Sequence, residues 1–156
     1  MIRSALTLCA TTALAMAGPP QRPSIPDACQ LLTAQDASRL AGVPVTPSRH
    51  SAAFNCTYQG AGGPASNGVE ITWREFADAA AAHAAFPRWV LPSPRPTPGL
   101  TTTPVSGIGD EATVVHNPIT SGIFFRRGAL LVKIGTHPPA ADAALKTAAR
   151  AVLGRL

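Results

Sequence analysis

The chain has 156 residues, a formal net charge of +5, 13% charged residues and 16 prolines. That length accommodates one small domain. Its basic residues are scattered, with Arg126-Arg127 the densest pair, which excludes the basic stripe of a nucleic-acid-binding protein. Past the N-terminal region no stretch approaches the ~20 apolar residues of a membrane-crossing helix.

In chain order, the first feature is an export signature. Arg3 supplies a positive start, Ser4 to Leu14 a moderately apolar stretch, and Ala15-Met16-Ala17 an A-x-A cleavage site. Residues 1–17 are therefore expected to be a removable signal peptide, with cleavage after Ala15 as the competing choice. Cys9 follows Leu8, where a lipidation signal would carry a small residue, so lipidation is not expected. Loss of residues 1–17 leaves Cys29 and Cys56. In an oxidising compartment these are expected to form one disulfide, which also argues against a cysteine nucleophile.

Residues 18–26, "GPPQRPSIP", form a proline-rich leader, and the folded domain is expected to span residues 27–156. "LLTAQDASRLAG" reads as a short helix with Thr33 as N-cap, Asp36 as the capping-box acid and Gly42 at the left-handed stop. "AFNCTYQ" alternates as a half-buried strand with Phe54, Cys56 and Tyr58 on one face, and "VEITWRE" returns as its hairpin partner. Asn55-Cys56-Thr57 matches a glycosylation sequon, discounted because a disulfide-bonded strand is a poor acceptor loop. "FADAAAAHAAFPRWV" is an alanine-rich helix with Phe76, Ala79 or Ala80, His83 and Phe86 at helical spacing, which Pro87 bends or ends. "LPSPRPTPGLTTTP" is an extended, proline-studded crossover.

"VSGIGDEATVV", residues 105–115, poses the question of a phosphate loop or an acid pair. A phosphate cradle leads into a helix N-terminus, whereas these glycines lead into strand, and adjacent acids repel phosphate. Asp110 and Glu111 point to opposite sides of a strand rather than across a cleft. The stretch reads as a turn with Asp110 bonding local backbone. "GIFFRR" and "ALLVKIG" then form a hairpin with a tight turn at Arg127-Gly128, and a last helix runs from Ala140 to about Leu153. The predicted order is α-β-β-α-β-β-β-α, with the first late strand left open around Thr103 to Ser106. The fold class is α+β: a single antiparallel sheet with the helices packed on one face and one disulfide.

The Cys29-Gln30-Leu31-Leu32-Thr33 helix start, the "CTY" cysteine, "GIGDEA" and the "FFRRGALLVKIG" hairpin before a C-terminal helix together resemble uncharacterised exported proteins and lipoproteins of high-GC bacteria, families classed as domains of unknown function. The similarity covers most of residues 27–156 and implies an exported α+β domain without an assigned chemistry. The chain departs from the lipoprotein members in lacking a convincing lipobox.

No local catalytic or metal signature stands out. His50, His83, His116 and His137 show no zinc spacing, and Ser51 beside His50 lacks a G-x-S-x-G elbow. No cofactor or metal is expected. The leading functional class is an exported, non-catalytic binding or interaction domain of the cell envelope, in the periplasm, the cell wall or outside the cell. The competing class is a small exported hydrolase whose site is dispersed in sequence. With Arg127-Gly128 as the turn, Phe125 faces Leu130 and Phe124 faces Leu131. If every helix covers the Phe125 side, Phe124 and Leu131, rimmed by Arg126, Lys133 and Arg74, form an exposed patch. Such a patch suits an envelope protein or an anionic or amphipathic ligand.

Overall fold

The computed structural model describes residues 24–48, 52–61, 67–91 and 97–156. The expected signal peptide, Cys9, His50, Ser51 and the middle of the proline-rich crossover lie outside these residues. The elements are α1 (Ala28–Leu31), α2 (Ala34–Ala41), β1 (Val45–Pro47), β2 (Asn55–Gly60), β3 (Gly68–Glu75), α3 (Ala79–Val90), β4 (Thr101–Val105), β5 (Glu111–His116), β6 (Ser121–Arg127), β7 (Leu130–His137) and α4 (Asp142–Leu153). The fold is α+β. Its seven strands form one sheet in the order β1-β2-β3-β7-β6-β5-β4, antiparallel at every pairing. No helix among the described residues is long and apolar enough to cross a membrane.

Local chemistry explains the helix ends. Thr33 caps α2 by accepting from the Asp36 amide and donating to the Asp36 carboxylate at 2.8 Å, and Gly42 stops it at φ 71°. Asp78 caps α3 by accepting from the Ala81 amide at 2.7 Å. That start puts Ala82, Phe86 and Val90 on the buried stripe and leaves His83 exposed, contrary to the expected spacing. Pro87 is accommodated within the last turn of α3.

The disulfide joins Cys29 of α1 to Cys56 of β2 across a Cα separation of 5.1 Å. A four-residue helix such as α1 is too short to persist alone. Further bonds hold it: the Tyr58 hydroxyl donates to the carbonyls of Cys29 and Leu32, and Arg155 donates to Leu31 O. Phe54, expected inside, is 56% exposed, because β2 begins only at Asn55 and Phe54 belongs to the preceding turn.

The glycine-acid stretch fastens a hairpin. Gly107 and Gly109 take φ values of 72° and 59°. Asp110 donates its amide to Arg126 O, and its carboxylate accepts from the Gly128 amide at 2.7 Å. Asp110 therefore bonds a distant turn rather than its own neighbourhood. That β6–β7 turn centres on Gly128-Ala129, one residue later than expected. The register pairs Phe125 with Val132 and Phe124 with Lys133. The displacement moves each residue's partner by two, so every side chain keeps its face.

The largest difference concerns the helices. α1, α2 and α4 pack on one face around Cys56, Tyr58, Ile71, Val114, Ile123, Phe125 and Ile134. α3 packs on the opposite face, over Val115, Phe124 and Leu131. The expectation that all helices share one face is corrected to this extent. The physical reason is that the second face carries its own apolar set, and Ala82, Phe86 and Val90 of α3 bury it.

Candidate functional site

α3 lies against β6 and β7 and leaves the β2 and β3 side of the second face partly exposed. Strand alternation and register bring one rung of side chains across that face. Thr57 pairs with Glu70, Glu70 with Gly135, Gly135 with Gly122, and Gly122 with Val115. The two central positions carry no side chain, so the rung becomes a trough between Glu70 and Val115. Phe124 and Lys133, paired in the neighbouring rung, close one end. His137 and the Asn117–Thr120 turn lie at the other, and the groove encloses about 340 Å³.

The polar wall is assembled before any ligand arrives. Lys133 Nζ stands 3.2 Å from Glu70 Oε2. Asn55 Nδ2 donates to Glu70 Oε1 and to Thr72 Oγ1 at 2.8 Å each, and Thr72 donates to Glu70 Oε1 at 3.1 Å. Burial by itself pushes the Glu70 carboxyl upward. The Lys133 charge and the hydrogen bonds from Lys133, Thr72 and Asn55 outweigh it and hold the group below the ordinary glutamate value. The groove therefore presents a satisfied, mutually neutralised ion pair beside an apolar wall.

The five residues anticipated as an exposed patch do not form one. Phe124 is 9% and Leu131 0% exposed, both beneath α3. The one-sided covering on which the patch depended does not occur. Asp110 and Glu111, expected on opposite sides of a strand, instead converge on Arg126 at 2.8 Å and 2.5 Å, because β5 begins only at Glu111 and Asp110 belongs to the preceding bend. Arg74 lies over the Phe76 ring at 5.2 Å. Only Phe124 and Lys133 of the five line the groove. Glu70, Thr57, Gly122 and Gly135 also line it and were not singled out in the sequence, while His137, weighed there only as a metal ligand, lines its far end. The available signal was a glycine two residues from Phe124 in "SGIFF" and another two from Lys133 in "KIG", both with the parity of the second face.

The other titratable clusters have structural employment. His83 Nδ1 and Arg126 Nε meet on Glu111 Oε1. Burial raises the Glu111 carboxyl, but these two partners bring it below the ordinary value. His116 Nε2 lies 2.6 Å from Asp142 Oδ1, and this hydrogen bond is the main cause that lowers the Asp142 carboxyl. Ser121 pairs with His116 in the sheet. Its hydroxyl instead accepts from the Ala140 amide at 2.8 Å and meets Thr136 Oγ1 at 2.9 Å. Neither histidine–acid pair thus meets a serine nucleophile among the described residues. No group of three or more His, Cys, Asp or Glu among them could hold a metal ion. The chain matches no protein-family model, and no curated protein is significantly similar to it.

Proposed function

We propose that the chain is an exported, non-catalytic binding domain of the bacterial cell envelope, processed after Ala17, and that its ligand occupies the groove on the second face. The observation that carries this reading is the groove itself: a concave site with an apolar wall and a few fixed polar groups, built on rigid strands. Its volume of about 340 Å³ falls within the ~300–1,000 Å³ of small-molecule sites. The Cys29–Cys56 bond supports the exported location, since disulfides persist in oxidising compartments. The resemblance to exported domains of unknown function belongs to the same proposal. The engagement of Ser121 with Ala140 and Thr136 favours binding over serine-type hydrolysis.

The test is native mass spectrometry of the protein purified from its own envelope. The expected species begins at Gly18 and carries a small-molecule adduct that a folded Thr57→Trp variant, which fills the groove from β2, fails to retain. Wild-type protein without an adduct, or an adduct retained by Thr57→Trp, overturns the reading. Ester hydrolysis abolished by His116→Ala would restore the hydrolase class.

A further inference from the structure

Resting on the groove as the binding site, the two glycines on its floor indicate what it accepts. They look equivalent in the sheet, since Gly122 and Gly135 face one another in register, but the backbone treats them differently. A Cβ at Gly122 would stand 2.9 Å from Ile134 O, so the close approach of β6 to β7 requires glycine there. A Cβ at Gly135 would meet nothing nearer than Lys133 Cε at 3.5 Å, an ordinary contact. Gly135 also does not figure among the glycines with positive φ. Neither packing nor backbone conformation demands a glycine at this position. Within a strand, glycine is destabilising relative to alanine, and a side chain there would pack on the sheet. What its absence provides is an open floor on which another molecule can lie against the backbone.

We propose that the groove binds a neutral, planar aromatic molecule lying flat on the Gly122–Gly135 floor with an edge toward the Phe124 ring. Planarity follows from the floor, two side-chain-free residues on adjacent strands ~4.8 Å apart, flanked in the same rung by Glu70 and Val115. An aromatic edge suits Phe124, because rings pair best offset or edge-to-face. Neutrality follows from the wall. Lys133 and Glu70 already satisfy each other at 3.2 Å, and Asn55 and Thr72 occupy the second carboxylate oxygen. An anionic ligand would confront Glu70 and a cationic one Lys133. Breaking the pair to accommodate either would leave a partly buried charge uncompensated.

The probes are N-phenyl-1-naphthylamine, which is neutral, and 1-anilinonaphthalene-8-sulfonate, which carries the same ring system with a negative charge. Fluorescence titration of the full mature chain is expected to show saturable one-to-one binding of the neutral probe, with the sulfonate at least ten-fold weaker. Gly135→Val, which fills the floor, is expected to weaken the neutral probe at least ten-fold while its urea midpoint stays equal to or above wild type. Should Gly135→Val fail to fold, Gly135→Ala keeps the test, with an expected loss of several-fold at unchanged or raised stability. Sulfonate binding as tight as the neutral probe, no saturable neutral binding by wild type, or undiminished binding by a folded Gly135 variant each overturns the inference. If the neutral probe fails but Thr57→Trp still releases the native adduct, the groove stands as the site and only the ligand class falls.

Discussion

Replacing both Cys29 and Cys56 by alanine is expected to lower stability by ~3.5 kcal/mol without releasing α1 from the native domain. The magnitude follows from the sequence separation of 27 residues, because the entropy removed from the unfolded chain grows with the logarithm of the closed loop. A loop of that size corresponds to ~12 cal/mol/K, or ~3.5 kcal/mol near 25 °C. Against a total of about 5–15 kcal/mol for a domain, this is a substantial fraction. The native anchoring of α1 should survive, since it also rests on the Tyr58 hydroxyl bonded to Cys29 O and Leu32 O. Arg155 to Leu31 O and the Ala28 amide to Ala53 O hold it as well. Urea unfolding of wild type and the double variant, with amide exchange over Ala28–Leu32, measures both parts. The reasoning fails if the loss is below ~1 kcal/mol, or if those amides exchange freely while the sheet remains protected. The second outcome would mean that the disulfide alone holds α1 to β2.

Three further outcomes are expected. Phe125→Ala and Phe124→Ala should both destabilise by ~3 kcal/mol or more as core truncations. Only Phe124→Ala should selectively raise amide exchange in α3, because the two rings lie in separate clusters. Gly109→Ala should destabilise by ~2 kcal/mol or more, since its Cβ would stand 2.2 Å from Arg126 O at φ 59°, whereas Gly107→Ala, with nothing within 4 Å, should lose only ~1 kcal/mol through its positive φ. The carboxyls of Glu70 and Asp36 are held below their ordinary values of 4.5 and 3.8. Their contribution is complete above those values and is lost as pH falls through the lower folded values. The urea midpoint should therefore hold down to about pH 5 and then decline, with a shallower decline in Glu70→Gln.

Features set by neighbours along the chain were legible from residue identity. The Thr33–Asp36 cap and the Gly42 stop depend on groups within one or two turns, and both form as the residues dictate. The alternation of β6 and β7 separated Phe125 from Phe124 correctly, even though the turn lies one residue further on, because side-chain parity survives a two-residue change of partner. The pairing of Cys29 with Cys56 followed from there being no other candidates within the expected mature chain. The side of the sheet that α3 covers was not legible. Its apolar stripe fits either face locally, and the choice rests on Val115, Phe124 and Leu131, which converge only once β5, β6 and β7 are in register. The groove depends on tertiary structure for the same reason. Thr57, Glu70, Gly135, Gly122 and Val115 come from five strands and share a rung only because β7 inserts between β3 and β6. Hydrophobic periodicity specifies which residues share a face of one strand, but the neighbours across that face are set by long-range pairing, which no local pattern encodes.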